Sequence, residues 1–535
     1  MADFVSKARK LLARGDVKRA EATCAQALRA DQANVPAWSL MGQILLKKGQ
    51  LKPAFAHFQK AAALEPANPT HLADAGHVLA RAGQAAAAEG ALQRARALGS
   101  DDPKVLHDLG GIFLVTERAQ DAADIFSKAA VAVPNEAWPH ANLGIALHQV
   151  GQTEDAVAAY RRALEIQPND DETHYNLGLS LGELRDDEAA VAAFLEAARI
   201  NPKRRDVARL VGRTLLTLGD YADASAQLEH AVSLDPDDRQ SRTSLIYALV
   251  CADRPKEAIP LCLDILKVAP DHTPTQDNLA LAYLRDGQPD EAIRVCDDIL
   301  ERKPGATAAL SNKSAALNMS GRREEAAEIL SLENLVQAEI YDTNGTAYGT
   351  IAEFNAAFSA YVMAHPTLRY TRNNRTLSSG QCTEDMFANG TGPEIDAMKV
   401  LIDKSVAHYK ATHTIDPQHP FLFRHPERYQ VVCWANVMDS GGFHDAHIHP
   451  TGWLSGVYYP QVPDGMHADD PEHEAWIEFG RAYQAIQSPD NPPVRIVMPE
   501  EGMIVLFPSY TGHRTIPFSG DKKRVSVAFD VEPLD

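Results

Sequence analysis

Cysteine is scarce in this 535-residue chain: there are six, at 24, 251, 262, 296, 382 and 433. No two form a C-x-x-C pair, so their spacing suggests neither a zinc cage nor a disulfide framework. Long apolar runs are also missing. No window holds the roughly 20 apolar residues that a membrane-crossing helix needs. Positive charge is in deficit, with 52 Lys plus Arg against 72 Asp plus Glu and a formal net charge of −20. A phosphate backbone calls for a basic face, so the balance argues against a nucleic-acid partner. Acidity fits simple solubility, with basic peptide partners as the second reading. The opening segment, MADFVSKARKLLARG, has the pattern of an amphipathic helix rather than a signal sequence. The expected location is therefore cytoplasmic, with no membrane partner.

What the chain has in abundance is a beat of 34 residues. Prolines keep it at Pro66, Pro134, Pro168, Pro202, Pro236, Pro270 and Pro304, with Ser100 in the one gap. Alanines keep it from Ala20 and Ala54 to Ala292 and Ala326. Glycines follow at Gly42, Gly76, Gly110, Gly144, Gly178 and Gly212. A second glycine series runs Gly15, Gly49, Gly83, Gly151, Gly219, Gly287 and Gly321. Small residues let two antiparallel helices approach closely. The second glycine series ends the first helix, where a left-handed conformation is cheap. Proline ends the second helix. The large residues Phe58, Leu92, Phe126, Tyr160, Phe194 and Leu228 are expected to fill the space between neighbouring repeats.

This register resembles the tetratricopeptide repeat (TPR) over about residues 1–330, in ten units. Departures are local. Glu117, Arg185 and Asp253 replace the turn glycine, and Ala8, Ile246, Ala280 and Ser314 replace the earlier one. Cys24, Cys262 and Cys296 fall at the large-residue position and read as buried filling. Such an array implies a binding scaffold for an extended peptide or helix, with the last unit docked on the next domain.

The beat stops after Leu330. Residues 351–364 and 393–412 have helical spacing, and 371–392 read as a polar loop. From 427 the period becomes strand-like, with candidate strands at 429–437, 444–449, 454–461, 475–479, 494–497, 503–507, 514–517 and 524–531. Short strands between Gly, Pro and Asp turns suit a double-sheet jelly roll, whose mouth can hold small ligands and metals.

Three stretches carry chemistry. In Phe443-His-Asp-Ala-His-Ile-His-Pro450, strand alternation puts His447, His449 and Asp445 on one face and His444 on the other. In Gly502-Met-Ile-Val-Leu-Phe-Pro-Ser-Tyr-Thr-Gly-His513, a buried strand and a turn deliver a distant histidine. In Arg524-Val-Ser526, a guanidinium fork and a hydroxyl share a face, which suits the distal carboxylate of a keto acid. Cys433 beside Trp434 reads as strand filling.

Residues 426–535 resemble the 2-oxoglutarate/Fe(II) oxygenases often joined to TPR arrays. The residues that carry the resemblance are His447-Ile-His-Pro-Thr-Gly-Trp-Leu-Ser-Gly-Val-Tyr-Tyr459, Leu506-Phe-Pro-Ser509, His513-Arg-Thr515 and Arg524-Val-Ser-Val-Ala-Phe-Asp530. The resemblance implies Fe(II) and 2-oxoglutarate, with His447 and His513 on the metal and Arg524 with Ser526 on the cosubstrate. Asn436 and Tyr459 are open between cosubstrate contact and local core pairing. The wider superfamily uses His-x-Asp/Glu and a distant His. Here His449 stands where the carboxylate belongs. The third ligand is therefore His449, Asp445 or water, with three histidines preferred.

The expected fold class is an all-α TPR solenoid followed by a double-stranded β-helix (jelly-roll) domain with flanking helices. Its parts are the array at 1–330, a linker with helices at 331–425 and the oxygenase core at 426–535. The expected activity is hydroxylation of a protein or peptide side chain brought by the TPR groove. Three alternatives stand: a scaffold with a degenerate oxygenase domain, a three-histidine dioxygenase without a keto acid, and a small-molecule substrate.

Overall fold

The computed structural model describes residues 2–370, 377–483, 486 and 492–534. It forms two compact units, residues 1–204 and 205–535. Among the described residues no helix is long and apolar enough to cross a membrane.

The first unit is a run of antiparallel helix pairs, from Ala2–Ala13 and Val17–Ala30 to Asp171–Glu183 and Asp187–Ile200. Local chemistry starts some of the pairs. Asn34 accepts from the Ala37 amide and Asp102 from the Lys104 amide, each followed within two residues by a proline. The turn glycines adopt positive φ, and so do their replacements Glu117 (59°) and Arg185 (60°).

The large-residue series packs within its own repeat as well as toward the next. Each large side chain lies over the glycine of its own repeat, and Phe58 shares an apolar cluster with Ala75 and Val78 of the following one. A Cβ on Gly42 would sit 2.7 Å from the Phe58 ring, one on Gly110 2.4 Å from Phe126, and one on Gly144 2.6 Å from Tyr160. Helices within a pair are thus drawn together where one lacks a side chain and the other has a bulky one. The departures compensate in volume. Three of the four repeats that lost this glycine (Ala8, Ile246, Ala280) carry Cys24, Cys262 and Cys296 opposite it, and all six of these residues are fully buried.

The second unit opens with four more helix pairs, Arg205–Leu218 to Arg323–Leu330. Asp253 keeps the turn there at φ 62°. The chain then builds two antiparallel sheets. Their strands are β1 (Gln337–Ile340), β2 (Arg369–Tyr370), β3 (Leu377–Cys382), β4 (Tyr429–His444), β5 (Leu454–Gln461), β6 (Ile477–Phe479), β7 (Arg495–Val497), β8 (Met503–Pro508), β9 (His513–Thr515) and β10 (Arg524–Pro533). The larger sheet runs β1-β8-β5-β10-β4-β3-β2 and the smaller β7-β6-β9.

The segment 331–425 therefore supplies three strands of the sheet as well as the expected linker and helices. The stretch read as a loop at 371–392 holds β3 and the short helix Met386–Asn389, while 371–376 lie outside the described residues. The helices Ile351–Met363 and Pro393–Thr412 flank the larger sheet, the first started by a capping box of Thr350 and Glu353. Phe354 of the first meets Tyr458 of β5, ring centroids 5.7 Å apart.

The last repeat is enclosed by this β-rich part. Helix Thr307–Met319 buries Ser311, Asn312, Ser314 and Asn318 beside its apolar residues. Tyr483 donates to the Asn312 side chain (2.8 Å) and Tyr510 to the Ile329 carbonyl (2.6 Å).

Candidate functional site

Strand β10 is the axis of the site. It pairs with β4 on one side and β5 on the other, with Ser526 opposite Asn436 and Asp530 opposite Ser455. Alternation sends Val525, Val527, Phe529 and Val531 into the apolar packing. The other face presents Arg524, Ser526, Ala528 and Asp530 to a cavity of about 290 Å³ between the sheets. Asn436 and Tyr459 line the same cavity, as do His447, His449 and His513.

The expected strand at 444–449 does not form. β4 ends at His444, and His447 makes only a two-hydrogen-bond bridge to His513, each amide 3.0 Å from the other's carbonyl. The amide of His449 donates to the Ser509 carbonyl (3.0 Å). Both imidazoles are thus hung on the 509–513 segment, which brings the three rings together. Their ligand atoms lie within 4.8 Å of one another. The break also shifts the phase of alternation. His444, expected on the opposite face, lines the cavity with its ring 5.7 Å from His447.

Hydrogen bonding fixes the tautomers. His447 Nδ1 lies 2.7 Å from the Asp445 carbonyl, and His513 Nδ1 lies 3.1 Å from the Thr511 carbonyl. His449 Nδ1 meets the Asp530 carboxylate at 2.7–2.8 Å. Each partner can only accept, so each Nδ1 carries a proton, and in the neutral ring the lone pair is then on Nε2. That is the arrangement of imidazoles ready to ligate a metal. His449 Nε2 is buried with no protein partner. Burial and the neighbouring His449 hold His447 down at about 3, and burial keeps His513 and His444 well below the ordinary imidazole range. The shifts of His447 and His513 favour the neutral ring that ligation requires. The Asp445 side chain is neither in this cluster nor on the cavity wall. It takes part through its backbone carbonyl.

Arg524 closes the other end. It is 1% exposed, touches the Tyr459 hydroxyl through Nη2 (3.4 Å), and leaves Nε and Nη1 without a protein partner. The Asn436 Oδ1 is likewise unpaired. A buried guanidinium with open donors is a receptor for an anion, because an unmatched buried charge is costly.

Sequence reasoning missed Asp530, whose signal was the same two-residue period that linked Arg524 to Ser526. It also missed Glu478, 3% exposed in the middle of β6. Burial raises the Glu478 carboxyl, but hydrogen bonds from Arg481 and Arg514 hold it below the usual range.

Comparison with known proteins agrees with this architecture. Residues 432–530 match a family described as "Putative 2OG-Fe(II) oxygenase". Families described as tetratricopeptide or TPR repeats match 5–69, 73–137, 146–184, 171–204, 212–272 and 278–333. Similar solved structures are TPR proteins. YrrB, described as having an unusual peptide-binding site, is 19% identical over 34% of this chain and 93% of its own, with a TM-score of 0.32. PilF of Pseudomonas aeruginosa is 19% identical over 40% and 96%, with a TM-score of 0.35. MamA of Desulfovibrio magneticus RS-1 is 21% identical over 32% and 97%, with a TM-score of 0.31. A search of curated proteins finds no match. The chain carries tetratricopeptide repeats across its N-terminal region and a domain of the 2OG-Fe(II) oxygenase family at 432–530.

Proposed function

We propose that this chain is a 2-oxoglutarate- and Fe(II)-dependent dioxygenase that hydroxylates a side chain of a polypeptide brought by its repeats. The observation that carries the reading is the meeting of two incomplete receptors in one cavity. Three imidazoles each bring a ring nitrogen within 4.8 Å of the others, and Arg524 faces the same cavity with two unpartnered nitrogens. The donor set fits the expected groups. Neutral imidazoles suit ferrous iron, and a guanidinium fork suits a carboxylate.

His447, His449 and His513 hold the metal in this reading. Arg524 and Ser526 hold the distal carboxylate, with Tyr459 and Asn436 beside them. Iron and the keto acid together supply oxygen activation: dioxygen, 2-oxoglutarate and a C–H bond give succinate, carbon dioxide and an alcohol. The chain orients the cosubstrate and keeps water away, since Val457, Ile477 and Phe507 give the cavity apolar lining. Charge favours the dianion. A divalent ion and Arg524 bring three positive charges, against one negative charge on Asp530 and two on the keto acid.

The test is an anaerobic titration with Fe(II) and 2-oxoglutarate, followed by the visible charge-transfer band of the chelate. Wild type should show the band, His513→Ala should lose it, and Arg524→Ala should need far more 2-oxoglutarate. A folded wild-type protein that binds iron with no such band would shift the reading to a three-histidine dioxygenase without a keto acid, the alternative favoured by the missing carboxylate ligand. Failure to bind iron would leave a scaffold with a degenerate domain. Recruitment is tested separately. A chain lacking residues 1–204 should keep the band and lose turnover of a polypeptide substrate; unchanged turnover would point to a small-molecule substrate.

A further inference from the structure

Replacing a ligating carboxylate by His449 leaves a metal site one negative charge short. The structure holds a carboxylate one bond further out. Asp530 sits on the cavity face of β10, six residues beyond Arg524 and 7% exposed. Its two oxygens lie 2.7 and 2.8 Å from His449 Nδ1, and one accepts from Ser455 Oγ at 2.7 Å. Ser455 Oγ is 2.9 Å from Ser509 Oγ, and the Ser509 carbonyl receives the His449 amide. Ring and carboxylate are therefore tied to β5, β10 and the segment after β8 at once. Among the described residues Asp530 makes no ion pair with Lys or Arg, so its charge is committed to His449. Crowding holds the arrangement, because a Cβ on Gly452 would fall 2.4 Å from Ser509 Oγ.

We infer that Asp530 is a positioning residue that supplies, through His449, the charge a ligating carboxylate would bring. This rests on the metal-site reading above. Asp530 fixes the imidazole with Nδ1 protonated and Nε2 turned to the metal. The hydrogen bond makes Nε2 a stronger donor, which favours a divalent ion and stabilises its oxidised state. Position and charge belong to one side chain, yet they can be separated. Asparagine keeps an oxygen to accept from Nδ1–H and loses the charge. Glutamate keeps the charge on a longer stem.

The experiment uses the full chain with Fe(II) alone. Affinity is read by competition with a chromophoric chelator, the Fe(III)/Fe(II) potential by redox titration, and folding by circular dichroism. Asp530→Asn should bind Fe(II) about 10–100-fold more weakly, the usual cost of removing such a partner, and its potential should rise. Asp530→Glu should recover part of both. His449→Ala should lose more affinity than Asp530→Asn. Wild-type affinity and potential in Asp530→Asn would overturn the inference while leaving the metal site intact. Equal losses in the Asn and Glu variants would also overturn it, since packing and not charge would then matter. A wild-type chain that binds no iron would sink the inference together with the reading beneath it.

Discussion

Gly110 and Phe126 stand sixteen residues apart (126 − 110), as do Ile246 and Cys262 (262 − 246). The first pair is small over large and the second large over small, and all four residues sit at equivalent places in their repeats. If the shared volume is what the fold requires, one pair should be convertible into the other. Phe126 is 1% exposed, so Phe126→Cys removes most of a buried ring at a cost of about 3 kcal/mol. Gly110→Ile places a Cβ 2.4 Å from the Phe126 ring and adds three more carbons, an overpacking cost of about 2 kcal/mol. Independent effects would sum to about 5 kcal/mol. Together, however, the isoleucine enters the space the ring vacates, and the loss should fall to about 1–2 kcal/mol. A coupling of about 3 kcal/mol is thus expected. Repeat arrays open locally, so the assay is native-state hydrogen exchange of the amides in residues 103–132, which reports the local opening free energy in each variant. Additive losses in the double variant would refute the paired-volume reasoning and leave the cysteine repeats unexplained.

Two further outcomes rest on single residues. Glu117 holds the left-handed turn position at φ 59°, so Glu117→Gly should stabilise the chain by about 0.5–1 kcal/mol in urea unfolding; no gain would mean the turn is unstrained. Burial, partly offset by Lys303, raises the Asp277 carboxyl to about 6, and its Oδ1 has no partner. A raised folded pKa means this side chain contributes most stability below the unfolded value of 3.8 and loses it as pH rises through about 6. Asp277→Asn should therefore be near neutral at about pH 4 and stabilising by up to about 3 kcal/mol at about pH 8; a pH-independent difference would contradict the assignment.

The solenoid was legible because its signal is local and repeated. Each unit restates the same small, large and turn positions, so single departures such as Arg185 do not hide the register. Which neighbour each large residue meets was not legible, since the spacing alone is silent on contact. In the β-rich part, β5 could be read to its ends, because alternation and flanking turns mark it. β1 to β3 were harder, for they join the sheet by pairing with strands far along the chain: Gln337 faces Leu506, and Leu377 faces His444. The histidines and Arg524 could be picked out by chemistry plus period. His444 was misplaced because the strand breaks just after it, and alternation holds only while a strand continues. Asp530 needed only the same period carried two steps further.

The enclosure of helix Thr307–Met319 bears on how the two architectures are joined. A solenoid exposes the flank of its final unit, and that flank must be polar or the array becomes adhesive. Among the described residues no separate sealing helix ends this array. Asn312 is met instead by Tyr483, and Tyr510 reaches the Ile329 carbonyl of the helix that follows. The β-rich domain is the stopper of the array as well as its cargo. Cutting at residue 330 would uncork the repeats, and a separated array should self-associate more strongly than the intact chain.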